Sequence, residues 1–304
     1  MIELIRKTDI DFMGARRYTL MISGALVLLG LYGVFQIFTG RANLGIEIAG
    51  GTSIQVRFER PVGMEEVRKI LTAEGFGEAS LQEVPGENIL IVKVGTKGKG
   101  EQMVGDRTVE LLRKRYPDNP LTVESMSEIG PAIGKKLRTD ALFALAVSAL
   151  AIVIYLAWRF EFKFGVAATI ATFHDVVTLV GIFTLLGKEI DLLFITALLT
   201  IGGYSLTDTV VVFDRIRENI RLRKKGTFSE TINLSVNEVL SRTVITSLTT
   251  FLACLSLLVL GGIVLRDFAF ALAAGVVVGT YSSVFVASPI VAIWRGEKMI
   301  QVKR

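Results

Sequence analysis

The sequence has 304 residues, of which 51% are hydrophobic and 21% are charged, and its formal net charge is +5. Long stretches almost free of charge are typical of a polytopic membrane protein with polar inserts, and they exclude an ordinary soluble protein. The single cysteine, Cys254, excludes an intramolecular disulfide, and membrane topology explains the excess of basic residues better than binding to nucleic acid does.

The chain begins with a polar leader over residues 1–17 and enters its first long apolar segment at residues 18–38. A bilayer core needs about 20 apolar residues in a helix, so this segment predicts a membrane span. It lacks a convincing signal-peptide cleavage site and is expected to remain as an anchor. Five further segments of spanning length follow, at residues 141–158, 164–186, 192–213, 244–263 and 268–294.

A polar insert at residues 39–138 separates the first span from the region 139–304, which holds the other five. Alternating polarity indicates strands in this insert, and helical spacing of apolar residues indicates helices. In chain order these are a strand at 52–58, a helix at 64–74, strands at 79–84 and 88–94 joined by a turn at 85–87, a helix at 102–115 and a strand at 121–127. The order β-α-β-β-α-β predicts an α+β ferredoxin-like domain.

The insert carries no signal for a metal or phosphate site. It contains no His and no Cys, which are the usual ligands of a structural metal. Residues 95–100 are rich in glycine but lack the spacing of a phosphate-binding loop, so they predict a solvated turn.

Residues 214–241 are predicted to form the one sizeable loop on the side of the membrane opposite the insert. Within it, residues 228–240 place Phe228, Ile232, Val236 and Val239 on one side of a helix. An amphipathic helix lying on the membrane surface is the simplest interpretation of this pattern.

Lys and Arg residues predict the orientation of the spans, because cytoplasmic flanks carry an excess of both. With both termini in the cytoplasm, the insert 39–138 is periplasmic and the chain is an inner-membrane protein. The basic residues then on the cytoplasmic side are Arg6, Lys7, Arg16, Arg17, Arg159, Lys163, Arg215, Arg217, Arg221, Arg223, Lys224, Lys225, Arg242, Arg295, Lys298, Lys303 and Arg304, whereas the short outside loops hold Lys188 and Arg266.

Asp208 lies inside the fourth apolar segment, where an ionised carboxylate costs about 2.5–3.5 kcal/mol to insert. Thr200, Tyr204 and Thr207 recur near it at helical spacing, which predicts a polar stripe facing the helix bundle. Such a residue usually marks an ion path, and the alternative is a structural carboxylate hydrogen-bonded to neighbouring hydroxyls.

Arg242 opens the fifth span and is the predicted counter-charge of Asp208, because the fourth span ends and the fifth begins on the same side. Thr246 and Thr249 share its helical face, so this helix also has a polar stripe. The alternative is that Arg242 only anchors the helix at the cytoplasmic surface.

His174 and Asp175 lie in the middle of the third span, and His174 is the only histidine of the chain. A histidine can relay protons at neutral pH, or it can simply hydrogen-bond a neighbouring group. One histidine without a cluster of other ligands predicts no metal site.

Gly202 and Gly203 precede the polar stripe of the fourth span. Small residues let membrane helices pack closely, and packing is therefore the expected role. The alternative is a point at which the helix bends.

Three classes of function are consistent with these residues. The first is coupling of proton movement at Asp208 to work outside the membrane. The second is an intramembrane aspartyl protease with Asp175 and Asp208 as its dyad, but Thr207 stands where such enzymes have glycine, so no enzyme is predicted. The third is a structural scaffold, which leaves Asp208 unexplained.

Residues 203–219, GYSLTDTVVVFDRIREN, resemble the signature of SecF proteins in the SecD/SecF family of protein-export membrane proteins. Residues 44–52, LGIEIAGGT, resemble the motif that opens the periplasmic domain of that family, with Gly50, Gly51 and Thr52 as its centre. The pair His174-Asp175 also fits the third span of the family.

The resemblance implies a half-transporter of the resistance-nodulation-division superfamily. Such a subunit pairs with SecD in the bilayer and uses the proton-motive force, without any other cofactor, to assist export of preproteins through SecYEG. The proton-pathway aspartate and arginine of the family fall on Asp208 and Arg242, with His174 and Asp175 as further candidates.

Two positions depart from the pattern of the family. Thr207 stands where Asn is usual, and Glu47 stands where Asp is common. Because Thr207 keeps a hydrogen-bonding group beside Asp208, coupling is expected to be retained. The alternative function is a half-transporter of a proton-driven small-molecule exporter, for which an insert of this size is small.

Overall fold

The structure is a computed structural model that describes residues 8–76, 79–84, 86–95, 104–222 and 226–296. The chain divides into two compact units, Met1–Asn43 with Ala144–Arg304 and Leu44–Phe143. The elements in chain order are α1 (Arg16–Phe38), α2 (Ile46–Ala49), β1 (Gly51–Phe58), α3 (Met64–Ala73), β2 (Ser80–Val84), β3 (Ile89–Gly95), α4 (Val104–Arg115), β4 (Leu121–Ile129), α5 (Pro131–Arg159), α6 (Phe162–Leu185), α7 (Leu192–Leu222), α8 (Phe228–Leu260), α9 (Gly262–Ser282), a π-helical segment (Ser283–Ala287) and α10 (Ser288–Arg295).

Six helices are long and apolar enough to cross a membrane, namely α1, α5, α6, α7, α8 and the run Val264–Arg295. The prediction of a polytopic helical membrane protein is confirmed. The helix α6 and the last run bury the largest share of their apolar windows inside the protein, whereas α1, α5 and α8 leave most of theirs exposed. Because α6 is so enclosed, polar residues on it need partners within the protein, either on α6 itself or on neighbouring helices.

Most of the segment 214–241, predicted as a loop, is helical. The helix α7 continues to Leu222, and α8 begins at Phe228. A capping box starts α8, since Thr227 Oγ1 accepts from Glu230 N at 3.2 Å and Glu230 Oε2 accepts from Thr227 N at 3.2 Å.

The prediction of a separate surface helix over residues 228–240 is wrong. Phe228, Ile232 and Val236 are buried in a core that also contains Phe213 and Ile216 of α7. Their apolar side therefore packs against protein instead of lipid, and the segment is the first part of the fifth spanning helix.

Close backbone packing joins α1 to α6. A Cβ atom placed on Gly181 would lie 2.6 Å from Gly30 N, and one placed on Gly33 would lie 3.0 Å from Val180 O. Only residues without side chains permit this approach. Beyond α1, Asn43 is tied to the turn after α6, because its carbonyl accepts from Ile190 N at 2.8 Å.

The second unit contains an antiparallel sheet of four strands in the order β2-β3-β1-β4. Thr52 of β1 lies opposite Val94 of β3 and opposite Glu128 of β4, and the register with β4 shifts between Gln55 and Val56. The helices α3 and α4 lie in the order that the sequence predicts, and they contribute to one core with the sheet: Ile54, Val56, Val67, Leu71, Val109 and Leu112.

The hairpin turn between β2 and β3 contains two residues with left-handed backbone, Gly86 (φ 85°) and Asn88 (φ 50°). Pro85 of the predicted turn lies outside the described residues. The predicted solvated turn at 95–100 also lies outside them, except for Gly95, which ends β3.

The glycine pair of the 44–52 motif allows β1 to enter the centre of the sheet. Gly50 and Gly51 have φ angles of 78° and 147°, which side chains rarely adopt. A Cβ atom on Gly51 would lie 2.5 Å from Val94 O of the adjacent strand. Glycine is therefore required at position 51 both by backbone geometry and by space, and Thr52 directly after it is buried.

We expect Gly51→Ala to lower the free energy of unfolding of the second unit by about 1–3 kcal/mol, because the new Cβ is strained and meets backbone. The measurement is thermal unfolding of the full chain in detergent. Gly63→Ala is the matched control, since nothing lies within 4 Å of its Cβ and its φ of −72° is ordinary. Equal melting temperatures for the two variants would contradict the prediction.

Candidate functional site

Polar side chains gather where α6, α7 and α9 pack together in the first unit. A Cβ atom on Gly279 of α9 would lie 2.9 Å from Ser205 Cβ of α7, and one on Gly275 would lie 2.5 Å from Ile201 Cγ1. The two glycines therefore let α9 approach α7 closely. This approach places the hydroxyl of Ser205 and that of Ser282 beside a carboxylate of α6.

Asp175 is that carboxylate, and it is 0% exposed. Its Oδ2 accepts from Ser205 Oγ at 2.5 Å and from Ser282 Oγ at 2.7 Å, and its Oδ1 lies 3.0 Å from His174 Nδ1. These partners come from three helices and carry no permanent positive charge. The group can therefore be held as a carboxylate or as a neutral acid without losing its hydrogen-bond partners.

His174 is 4% exposed, and its ring centroid lies 6.4 Å from that of Tyr281. Its Nε2 is buried and has no hydrogen-bond partner in the described part of the chain. The Nδ1 atom can donate to an ionised Asp175 or accept from a neutral one, and the proton content of Nε2 changes accordingly. The two side chains therefore form one hydrogen-bonded pair, in which Nε2 of His174 has no partner among the described residues.

Asp208 forms a second buried acid site on α7, and it is 7% exposed. Ser247 Oγ of α8 donates to its Oδ2 at 3.3 Å. Thr280 Oγ1 of α9 lies 2.7 Å from Ser247 Oγ and also 2.7 Å from Val276 O. Because Thr280 has one proton for two acceptors, the chain of hydroxyls that ends at Asp208 can rearrange when the carboxyl changes its charge.

At the boundary between α9 and the π-helical segment, two consecutive serines contact different helices. Ser282 reaches Asp175, whereas Ser283 Oγ lies 2.9 Å from Thr209 Oγ1 of α7. Ser288 Oγ donates to Ser283 O at 3.1 Å, a hydrogen bond back over five residues. Single π turns occur mostly at functional sites, because the extra residue redirects side chains.

Comparison with known proteins assigns the family. Residues 110–297 match the family described as protein export membrane protein SecD/SecF, C-terminal, and residues 37–62 match the SecD/SecF GG motif. A protein translocase subunit SecF from Thermodesulfovibrio yellowstonii is 48% identical over 303 residues, covering 99% of this chain and 100% of the relative. This chain belongs to the SecD/SecF family.

A solved structure of the family has the same architecture. The crystal structure of SecDF from Thermus thermophilus aligns with a TM-score of 0.82 and 40% identity, over 97% of this chain and 39% of that one. A protein translocase subunit SecF from Calditerrivibrio nitroreducens is 39% identical over 294 residues, covering 95% of this chain and 96% of the relative. The chain is thus similar to separate SecF subunits over their whole length and to part of a SecDF fusion.

In this SecD/SecF family member, Asp208 and Arg242 are not in direct contact. Among the described residues no ion pair within 4.0 Å joins them, and Arg242 is exposed. Arg242 still attracts Asp208 electrostatically, and it precedes Ser247 by about 7.5 Å of helix. The hydrogen-bond partner of Asp208 is therefore the Ser247 hydroxyl, whereas the Arg242 side chain lies on the surface of the bundle.

The predicted polar stripes face outward. Thr200 and Thr207 of α7 are exposed and donate to their own helix, at Thr196 O and Gly203 O. The stripe of α8 is exposed as well: Arg242, Thr246 and Thr249. The prediction that these hydroxyls face the bundle is wrong for Thr200, Thr207, Thr246 and Thr249, whereas Asp208 of the same stripe is buried and Tyr204 is half-buried.

Gly202 and Gly203 lie in unbroken helix, within α7. Gly202 is buried, and a Cβ atom there would lie 3.7 Å from Ile152 Cδ1 and 4.0 Å from Thr172 Cγ2. Gly203 is exposed, and a Cβ atom there would meet nothing within 4 Å. Gly202 therefore packs inside the bundle, whereas Gly203 keeps the outer surface of α7 flat.

Sequence reasoning did not identify the hydroxyl donors at the two carboxylates, which are Ser205 and Ser282 at Asp175 and Ser247 at Asp208. It also missed Thr280 and Ser283, which bind hydroxyls beside them. The one available signal was the spacing of Ser205 three residues before Asp208, which places them on one side of α7. The described residues contain no group of three or more His, Cys, Asp or Glu that could hold a metal ion.

Proposed function

We propose that this chain is a SecF-type subunit that, with a SecD partner, uses the proton-motive force to assist preprotein translocation through SecYEG. The observation that carries the proposal is the environment of Asp208, a buried carboxyl in a spanning helix held by a hydroxyl and not by a contacting cation. Such a group can change its charge without breaking an ion pair, as a coupling site requires.

In the proposed cycle, Asp208 takes up a proton and becomes neutral. The electrostatic attraction to Arg242 is then lost, and the hydrogen bond from the Ser247 hydroxyl weakens because its acceptor no longer carries a charge. Because Ser247 is on α8 and its neighbour Thr280 is on α9, the packing of three helices responds to one proton. A charge crossing 100 mV supplies about 2.3 kcal/mol, which is enough to bias two arrangements of the bundle.

The Asp175–His174 pair is the second proton-binding site in this proposal. It lies on α6, and Ser205 connects it to α7 one turn before Asp208. Because His174 Nδ1 lies 3.0 Å from Asp175 Oδ1, the two side chains can share one proton.

We further propose that the chain lies in the inner membrane with both termini in the cytoplasm and the insert in the periplasm. The distribution of basic residues supports this orientation. The antiparallel order β2-β3-β1-β4 with two helices on one face supports a ferredoxin-like fold for the periplasmic unit. Its polar surface is then available to emerging polypeptide.

The exposed polar face of α7 and α8 supports a SecD partner. The exposed guanidinium of Arg242 cannot face lipid at low cost, so within the bilayer it needs to be covered by protein or water. The fusion of SecD and SecF in the relative from Thermus thermophilus, of which this chain matches 39%, supports SecD as the covering chain.

We expect Gly203→Leu to reduce co-purification with the SecD-type partner at least about tenfold, because a large side chain would stand on a flat helix–helix surface. The chain itself should melt as the wild type does, since nothing surrounds this position. The measurement is pull-down from mixed membranes, with Gly24→Leu as control at another position where nothing lies within 4 Å. Normal assembly of the Gly203 variant would place the partner elsewhere.

The test of the function is export of a preprotein into vesicles that contain SecYEG, this chain and its SecD-type partner. Export should rise when a proton gradient is imposed and fall to the unstimulated rate when a protonophore collapses it. Stimulation that persists without this chain, or that survives the protonophore, would reject the proposal.

A further inference from the structure

The residues before the first spanning helix are bound to the fifth. We call Ile10–Gly14 the N-terminal strap. Asn237 of α8 pairs with Ile10 at both backbone atoms: its Oδ1 accepts from Ile10 N at 3.0 Å and its Nδ2 donates to Ile10 O at 2.9 Å. One turn earlier, Asn233 Oδ1 accepts from Met13 N at 2.9 Å.

Asp11 forms hydrogen bonds both within the strap and to α8. Asp11 Oδ1 accepts from Gly14 N at 2.8 Å and from Asn233 Nδ2 at 2.6 Å. These hydrogen bonds to the ionised form hold the pKa of the Asp11 carboxyl below its usual range. Two asparagines spaced by four residues thus fix the strap along one side of α8.

The apolar residues of the strap enter the helix bundle. Phe12 and Met13 are each 4% exposed and belong to its core. The Phe12 ring lies 5.6 Å from that of Phe285, which stacks on Tyr281 at 5.2 Å. Tyr281 is in turn the ring beside His174. A row of aromatic rings therefore runs from the strap to the Asp175–His174 pair.

Phe285 lies within the π-helical segment, which begins at Ser283, the residue that binds Thr209, directly after Ser282, which binds Asp175. Tyr281 also fixes α9 to α1, since its hydroxyl donates to Thr19 O at 2.7 Å and lies 3.0 Å from Ser23 Oγ. Tyr281, the residue directly before Ser282, packs on Phe285, and Phe285 packs on Phe12. The position of Ser282 relative to Asp175 therefore depends in part on Phe12.

We propose that the N-terminal strap is a positioning element for the buried acid pair. Asn233 and Asn237 hold it on α8, and Phe12 supports the π-helical segment that keeps Ser282 against Asp175. Phe12, Asn233 and Asn237 are positioning residues, because none of them contacts a carboxyl that is proposed to carry protons. The role assigned to them rests on the proposed function of that pair.

The test uses the full chain with its SecD-type partner in liposomes. The variants are the double substitution Asn233→Ala with Asn237→Ala, and Phe12→Ala with its conservative counterpart Phe12→Leu. Ile10→Ala is the matched control, because its side chain is half exposed and only its backbone atoms bind Asn237.

Two quantities are measured, and neither requires transport. Hydrogen exchange of the strap amides reports whether the strap opens, and labelling of Asp175 by a hydrophobic carbodiimide, quantified by mass spectrometry, reports access to the buried carboxyl. Both therefore remain informative if Asp208 proves not to couple export to protons, and a negative result for one proposal is distinguishable from a negative result for the other.

We expect the double asparagine variant to exchange its strap amides about fivefold faster, which corresponds to losing about 1 kcal/mol of hydrogen bonding. Labelling of Asp175 should rise by a similar factor in this variant and in Phe12→Ala, fall back in Phe12→Leu, and stay unchanged in Ile10→Ala. If Phe12→Ala does not accumulate, the asparagine variant decides alone, because its changes lie outside the core.

Three results would overturn the proposal. Unchanged strap exchange in the asparagine variant would mean that these residues do not hold the strap. Faster exchange with unchanged labelling of Asp175 would mean that the strap opens without effect on the acid pair. An equal effect of Ile10→Ala would mean that any change near residue 10 loosens the bundle.

Discussion

Proton-stimulated export is expected to disappear in Asp208→Asn, while the unstimulated rate remains. Asparagine keeps the size of the side chain and can still accept from Ser247 Oγ, which lies 3.3 Å from the carboxylate, but it cannot change its charge. One charge crossing 100 mV changes the free-energy difference between two states by about 2.3 kcal/mol. The variant can therefore lose a stimulation of the export rate on the order of fiftyfold. The measurement is export into vesicles with and without a proton gradient.

The matched control is Asp140→Asn, which removes an exposed carboxylate from the spanning helix α5. It should keep the stimulation of the wild type, and both variants should assemble with the SecD-type partner in normal amounts. Full stimulation in Asp208→Asn would show that this carboxyl is structural, and coupling would then have to be sought at Asp175 or in the partner chain.

At Asp175 we expect two substitutions to separate folding from coupling. Asp175→Ala removes the acceptor of two hydroxyls in a fully buried site, which leaves Ser205 Oγ and His174 Nδ1 without a partner, while Ser282 Oγ keeps Gly279 O at 3.1 Å. Leaving a buried polar group without a hydrogen-bond partner costs about 1–3 kcal/mol, so the melting temperature of the bundle should fall by several degrees. Asp175→Asn should fold, because the amide oxygen can accept from both serines while the NH₂ group donates to His174 Nδ1.

The Asn variant therefore reproduces the neutral form of Asp175 permanently. In the export assay its proton stimulation should be lost although its melting temperature lies near that of the wild type. A folded Asp175→Asn protein with normal stimulation would restrict Asp175 to a structural role. Equal melting temperatures for the Ala and Asn variants would contradict the hydrogen-bond network itself.

The periodicity of the sequence predicted the six spans and the order of strands and helices in the insert, because amphipathic and fully apolar patterns depend on local residues. It also identified Asp208 and Asp175, since a carboxylate in an apolar run is conspicuous. It could not identify Ser205 and Ser282 as the donors to Asp175, or Ser247 as the donor to Asp208. Serine is common in membrane helices, and its partner depends on how closely glycines let two helices approach.

The helical extension at residues 214–241 was missed for a related reason. Its charged residues resemble those of a loop, yet on two adjacent helices they pair across the gap: Arg215 Nε lies 2.7 Å from Glu238 Oε2, and Asn219 Nδ2 donates to Ser235 Oγ at 3.0 Å. Arg242 was predicted to pair with Asp208 only because the two residues lie at similar depths in the membrane. The rotation of α8, which is set by packing, turns Ser247 inward instead.

The glycine contacts between α1 and α6 have a mechanical consequence. Gly181 packs directly against the backbone of Gly30, and the residues on either side of these glycines carry side chains that would clash if one helix slid along the other. We therefore expect α1 and α6 to move as one rigid unit. Asn43 is hydrogen-bonded to the turn after α6, and it is the last residue before the sheet-containing unit begins at Leu44. We therefore expect a displacement of α6 at Asp175 to move residue 43 as well.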